Sequence, residues 1–283
     1  MIGVMRIKTL YISDLDGTLL DPAGTITDKT AEIINSLAGR GLDFTFATAR
    51  TIYSAGVITA GLNISTPCIL MNGVCIYDLK KRKYVSVESV SQELFEKVIS
   101  LFEEHGTECF MFRICGEKLT TYYTELTERV MAQFAEDRQK NYGKPFVQCR
   151  DMRDVTEGEA VYFTAMSEYD RLLPVRNAVK ETEGLDCAFY EDTYTGKWYL
   201  EIFSSKASKA NGIKKLRSLG GFDEIVCFGD NLNDLSMFEQ SDVKIAVANA
   251  RDEVKAAADI IIGSNECDGV AEYLKNNYYI KKG

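Results

Sequence analysis

Repeatedly along this chain a short run of apolar and β-branched residues empties into a polar or glycine-bearing segment, and those runs constrain the fold more than any other feature. TLYISD (Thr9 to Asp14), DFTFAT (Asp43 to Thr48) and CILMNG (Cys68 to Gly73) do so near the start. EIVCFGD (Glu224 to Asp230), VKIAVAN (Val243 to Asn249) and DIIIG (Asp259 to Gly263) do so near the end. Each reads as a buried strand leading into a loop. Helical stretches separate them. The first opens at Thr27, a candidate N-cap, carries Ala31, Ile34 and Leu37 at helical spacing, and stops at Gly39 and Gly41. Alternating strands and helices predict an α/β core built on a parallel, Rossmann-like sheet.

Between about Val85 and Leu200 the rhythm changes. A helix is expected over Gln92 to Glu104, strands near ECFMFRI and KLTTYYT, and a helix from Leu126 onward. A strand AVYFTAM, a helix from Asp170 to Thr182, and strands CAFYED and KWYLEIF follow. Strands joined by short turns predict an antiparallel sheet faced by helices. The chain therefore reads as a core made of residues 1–84 and 201–283, interrupted by an inserted α+β domain over residues 85–200. The aromatic-rich runs TTYYT and KWYLEIF suit sheet core or a stacking surface for a sugar, and their spacing does not choose between the two.

The 283 residues carry a net charge of −9, which repels polyanions and disfavours extended contact with nucleic acid or an anionic membrane. The apolar run in MIGVMRIKTLYISD is too short for a secretory leader or a membrane span, so a cytoplasmic protein, monomeric or a small homo-oligomer, is expected. The 8 cysteines are scattered, with no C-x-x-C pair and no neighbouring histidine, which disfavours zinc. His105 is the single histidine and lies at an expected helix end, so histidine triads are excluded. No cysteine is followed six positions later by arginine, and no complete P-loop or dinucleotide fingerprint is present. Chemistry must rest on carboxylates, hydroxyls and lysines.

Ligands of open α/β sheets bind beyond the carboxyl ends of the parallel strands. Here those ends carry Asp14 and Asp16, Thr48 and Arg50, Asn72, and then Asp230, Asn233 and Asp234. In DLDGTLL two acids stand two residues apart and share one side of an extended chain. One carboxylate can attack phosphorus while the other protonates the leaving oxygen and then activates water. Gly17 allows a sharp exit that presents backbone amides to phosphate oxygens, and Thr18 adds a hydroxyl. Carboxylates crowded beside a phosphate need a hard cation among them, and the oxygen donors of GDNLND suit magnesium, with Asp230 as ligand. Asp234, one turn further on, is expected to orient water or lysine, and Asn233 to donate to the nucleophile or to phosphate. Positive charge must come from Lys209 or from Lys206 three residues earlier, and composition and spacing do not separate them.

DLDGTLL, FATAR, SKANGI and GDNLND, in this order and spacing, resemble the four signature motifs of the haloacid dehalogenase superfamily. The layout of the inserted segment resembles the large cap of its Cof-like sugar-phosphatase branch. That resemblance implies Asp14 as nucleophile, Asp16 as acid/base, Thr48 as a phosphate ligand and Lys209, rather than Lys206, as charge stabiliser. It implies Mg2+ held by Asp14, the Asp16 carbonyl and Asp230. Leu15, Gly17, Thr18 and Ala49 join the expected phosphate-contacting set, with Arg50, Asn72 and Asn233 around them. Ala49 and Ala210 stand where the family commonly has glycine. The implied activity is hydrolysis of small phosphorylated metabolites, sugar phosphates foremost, through an aspartyl phosphate. A phosphotransferase or mutase, a nucleotide or cofactor phosphatase (flavin mononucleotide or pyridoxal phosphate), and a non-catalytic sugar-phosphate binder are the alternatives.

Overall fold

In the computed structural model, which describes residues 7–192 and 195–278, the chain divides into two units. One comprises residues 1–86 with 208–283, the other residues 87–207. Residues 1–6, on which part of the reading about a leader falls, lie outside the described set. Among the described residues no helix is long and apolar enough to cross a membrane.

The first unit begins with β1 (Thr9–Ser13), α1 (Asp28–Ala38), β2 (Asp43–Phe46), α2 (Ile52–Ile58) and β3 (Cys68–Leu70). The cap expected at Thr27 is made, its hydroxyl accepting from the Thr30 N–H at 3.0 Å. Two short strands follow that the sequence reading did not find, β4 (Cys75–Asp78) and β5 (Lys83–Val87). They extend β3 into a small antiparallel sheet, while a single parallel bridge, Ala47 with Ile69, ties β3 to the main sheet.

The second unit contains α3 (Gln92–Glu104), β6 (Phe110–Cys115), β7 (Lys118–Tyr123), α4 (Arg129–Tyr142) and β8 (Phe146–Gln148). It continues with β9 (Glu159–Ser167), α5 (Tyr169–Lys180), β10 (Leu185–Glu191) and β11 (Trp198–Ser204). The boundaries read at 84/85 and 200/201 cut through β5 and β11. Contacts place the first division two residues later, after Ser86 and still within β5, and the second after Ala207, because β11 pairs along its length with β9 and β10 and cannot be split from them. The six-stranded sheet runs β10-β11-β9-β6-β7-β8, antiparallel except for the last pair. Its two faces differ. One is a dry core under α3 and α5, with Phe95 stacked on Phe163 at 6.2 Å and Leu172, Val175 and Val179 fully buried. The other is aromatic and polar, with Phe112, Tyr162, Phe203 and Glu201 on neighbouring strands.

The chain then returns to the first unit through α6 (Lys209–Gly220), β12 (Glu224–Gly229), α7 (Leu235–Phe238), β13 (Val243–Val247), α8 (Asp252–Ala257), β14 (Ile260–Ile262) and α9 (Gly269–Asn277). Its parallel sheet has the order β14-β13-β12-β1-β2. The first strand of the chain thus lies between β12 and β2. Leu10 and Ile12 are completely buried there, as expected of a strand covered on both faces.

Burial pushes the Glu201 carboxyl up to about 7, opposed by the Tyr162 and Tyr190 hydroxyls and by Lys144. A carboxyl raised on folding contributes stability that is full below its unfolded value and is lost as pH rises through its folded value. Unfolding free energy should therefore fall between about pH 5 and pH 8, by on the order of 2 kcal/mol from this group after allowing for its partial exposure. Glu201→Gln should remove that part of the slope. Urea titrations at the two pH values check this, and parallel profiles for the two proteins would refute it.

Candidate active site

The site lies at the carboxyl ends of β1, β2, β3 and β12. Asp14 ends β1, and its N–H donates to Phe228 O at 3.0 Å, which continues the ladder one residue beyond the strand. The chain then turns sharply through Leu15–Leu19, closed by Leu20 N–H donating to Leu15 O at 2.9 Å. Gly17 makes the turn possible twice over. Its φ is +80°, and a Cβ there would lie 2.4 Å from Asp230 Oδ2. Thr18 donates to Asp230 Oδ1 at 2.7 Å, so the hydroxyl expected to face phosphate is used to hold a carboxylate instead. Two asparagines that the sequence reading did not single out secure the turn. Asn249 donates to Gly17 O at 2.7 Å, and Asn265 donates its side-chain amide to Leu20 O at 2.8 Å and its backbone N–H to Asn249 Oδ1 at 3.0 Å. The only sequence signal for Asn249 was its place at the end of the VKIAVAN strand.

Lys209 is the first residue of α6, after Ser208, whose hydroxyl caps the helix by accepting from Asn211 N–H at 3.0 Å. Its side chain is 1% exposed and its Nζ lies 2.5 Å from Asp14 Oδ1 and 2.8 Å from Asp234 Oδ1. Lys206 is exposed, so of the two candidates Lys209 is the one shown buried against the carboxylates. The start of α6 is fixed from below by Gly73, whose φ is +100° and where a Cβ would meet Ser208 O at 2.1 Å. Met71 and Asn72 before it also take left-handed conformations, φ 51° and 53°, a strained passage for two side-chain-bearing residues in succession.

Burial would lower the Lys209 pKa, but the fields of Asp14 and Asp234 and the bonds to them outweigh it and hold the ammonium above its ordinary range. Asp14 is held well above the usual carboxylate range by burial and by Asp234, with Lys209 opposing. Asp230 is pushed up to about 6, chiefly by burial, with Asp234 and Asp16 adding and Thr18 and Lys209 opposing. Oxygens of Asp14, Asp230 and Asp234 lie within 4.8 Å of one another. Asp234 is already committed, Oδ1 to Lys209 and Oδ2 to the N–H groups of Asp230 and Asn231 at 2.9 and 3.0 Å. The donors left for a cation are Asp14 and Asp230. An all-oxygen pair short of positive charge fits a hard divalent ion.

The remaining expected residues are placed as follows. Asp16 is exposed and forked by Arg50, Nε at 2.8 Å and Nη2 at 2.6 Å, so the arginine expected at phosphate sits on the second acid. Thr48 is fully buried, and its hydroxyl accepts from Arg50 N–H at 3.2 Å. Ala49 is partly buried. The Leu15 side chain lies in the core, which leaves only its backbone for a ligand. Asn72 Oδ1 is buried and has no hydrogen-bond partner among the described residues. Asn233 is exposed, in the short helical turn Leu232–Asp234 that buries Asp234.

This fold, with acids and a lysine gathered at one sheet edge, defines a class. The family model of haloacid dehalogenase-like hydrolases matches residues 11–274, and the chain belongs to that family. It is an enzyme of the hydrolase class, and its named relatives are phosphatases. It is 24% identical over 270 residues to the pyridoxal phosphate phosphatase YbhA of Escherichia coli, covering 92% of this chain and 95% of that one. It is 28% identical over 284 residues to the 5-amino-6-(5-phospho-D-ribitylamino)uracil phosphatase YwtE of Bacillus subtilis, with the same two coverages, 92% and 95%. Its fold matches a solved haloacid dehalogenase-like hydrolase from Bacteroides thetaiotaomicron with a TM-score of 0.81 at 19% identity, covering 96% of this chain and 100% of the other.

Lys209→Met removes the ammonium that Asp14 and Asp234 share. The metal-free protein should lose about 3–5 kcal/mol at neutral pH, the cost of stranding buried carboxylates. Urea unfolding in the presence of a chelator measures it, and wild-type stability in the variant would show that Lys209 does not carry that charge.

Proposed function

We propose that this protein is a magnesium-dependent phosphatase of small phosphorylated metabolites that works through an aspartyl phosphate on Asp14. The observation that carries this reading is the Asp14 carboxylate itself, buried at the end of the central strand, one oxygen fixed by Lys209 and a second carboxylate, Asp230, close enough to share a cation. Sugar phosphates and phosphorylated vitamin-type compounds are the proposed substrates, the latter because the named relatives act on such compounds.

In this reading Asp14 attacks phosphorus, the bond from phosphorus to the leaving oxygen breaks, and Asp16 delivers a proton to that oxygen. Asp16 then takes a proton from water as the water attacks, the bond from phosphorus to Asp14 breaks, and the carboxylate is restored. Lys209 fixes Asp14 for attack and offsets charge on the phosphoryl oxygens. Asp14, the Asp16 carbonyl and Asp230 would hold Mg2+, which supplies positive charge at the phosphoryl group when bound. The Arg50 fork favours ionised Asp16, so transfer of the guanidinium to a phosphate oxygen frees Asp16 to carry the proton. That exchange reconciles the expected phosphate contact of Arg50 with its present partner. Residues 87–207 are proposed as the family's cap, which reads the leaving group.

Phosphate release from a panel of sugar, nucleotide and cofactor phosphates tests the proposal. Release should require Mg2+, stop with chelator, and fall by at least about 10³-fold in Asp14→Asn with the fold intact. Substantial turnover in that variant would remove the covalent mechanism. Calcium should inhibit, because its larger and more flexible coordination engages both oxygens of Asp14. Full turnover with calcium would contradict the metal assignment.

A further inference from the structure

Within the unit of residues 87–207 a cavity of about 710 Å³ is lined by the last turns of α3 and by the segments that enter β6 and leave β7 and β8. Three sulfurs line it: Cys109, Cys149 and Met152. Cys109 is 6% exposed, and its Sγ lies 4.0 Å from Met152 Sδ. Cys149 is half-buried and packs against the apolar cluster that contains Cys109 and Met152. Its N–H and its thiol both meet Tyr123 O, at 2.9 and 3.5 Å. Cys149 and Met152 come from one short segment, CRDM, while Cys109 is 40 residues earlier, so no spacing pattern in the chain announces the trio.

The two cysteines are not placed for a disulfide. Cys109 immediately precedes β6 and Cys149 immediately follows β8, and β6 and β8 pair with opposite edges of β7. Strands two apart stand about 9–10 Å from each other, beyond the roughly 7 Å between Cα atoms that a disulfide can span. A shared ion spans more. Metal–sulfur bonds of about 2.3 Å put two sulfurs about 4.0 Å apart at 120° and about 4.6 Å apart in line, and the Cys109–Met152 separation falls at the first of these.

The surrounding charge favours a cation. Glu103, Glu108, Glu125 and Asp151 line the cavity, against Arg150 as the one base among the described residues that do so. Arg153 offsets part of this by forking Glu103 and lying 3.5 Å from Asp151. The unit as a whole has 23 acidic and 14 basic side chains, so an anion is disfavoured throughout it. Carboxylates alone would suit a hard ion, but thiol and thioether donors at the cavity wall select a soft one. Burial, Cys149, Glu103 and Glu108 hold the Cys109 thiol above its ordinary range, and burial with Asp151 and Asp154 does the same for Cys149. Both stay protonated until a cation among them reverses the local field.

We propose that Cys109, Cys149 and Met152 form a binding site for a soft monovalent cation of the copper(I) type. The ion exchanges for the thiol protons, which pass to solvent, and no change of oxidation state is involved. Met152, an unbranched thioether on the short turn Met152–Asp154, is the adaptable donor of the three. The site is independent of the carboxylates at Asp14 and can be tested without turnover.

Anaerobic titration of the reduced full-length protein with copper(I), in competition with the coloured chelator bicinchoninate, tests it. One copper(I) per chain should be withdrawn from the chelator. Cys115→Ser with Cys267→Ser, which removes the two exposed thiols, should leave that binding unchanged. Cys149→Ser and Met152→Leu should each weaken it at least about tenfold. The proposal is overturned if the chelator keeps all the copper, if binding disappears with the two exposed thiols, or if either Cys149→Ser or Met152→Leu binds as the wild type does. Should Cys149→Ser fail to fold, Met152→Leu, which nearly conserves side-chain volume, decides alone.

Discussion

The Lys209 ammonium, closed between Asp14 and Asp234, is the interaction on which the site depends. Desolvating that many charges is unfavourable unless each finds its opposite and its hydrogen bonds. Here the hydrogen bonds are made but the charges do not cancel: Lys209 meets two carboxylates, Asp234 spends its other oxygen on two backbone N–H groups, and Asp230 has only the neutral Thr18 hydroxyl. The same contacts join distant parts of the chain. Asp14 comes from the first strand, Lys209 from the helix that resumes the core, and Asp230 and Asp234 from the turn after β12. The network is thus also a tie between the two sequence halves of the core. Its surplus of negative charge is what makes a divalent cation a natural addition rather than an arbitrary one.

Glycine and asparagine bring the backbone close enough for this. Gly17 lets the turn after Asp14 pass against Asp230, and Gly73 lets the Met71–Asn72 passage press on Ser208, which begins the helix of Lys209. The asparagines at 249 and 265 complete the turn from a third direction. The Asp14 carboxylate is therefore positioned from the ends of β1, β3, β12 and β13 together. That explains why irregular backbone concentrates here, while the strands beneath are regular and buried.

Much of this was legible before any coordinates. The helix over Gln92 to Glu104 was read with the bounds it has, because its amphipathic spacing is strong and Ser91 caps it. The strand ends with polar residues were found for the same reason, since apolar runs of five or six residues bounded by loops leave few alternatives. Strands β4, β5 and β8 escaped. Phe146–Gln148 has three residues, too few for alternation to register, and Lys83–Val87 follows a basic turn that reads as loop. Lys206 and Lys209 had no local feature to divide them by themselves. The difference is tertiary: which of the two lies at the N-terminus of α6 against Asp14. The Arg50 fork on Asp16 was equally invisible, because it joins residues 34 apart on different strand ends.

The two units also differ in how they carry charge, and this bears on what each is suited to do. The unit with Asp14 has balanced charge overall, 19 acidic against 19 basic side chains, and concentrates three of its acids and Lys209 at one sheet edge. The unit of residues 87–207 holds the whole excess of acid, yet on its aromatic face it keeps one buried ammonium apart from one buried carboxyl. A field of that sign is unfavourable for holding phosphate.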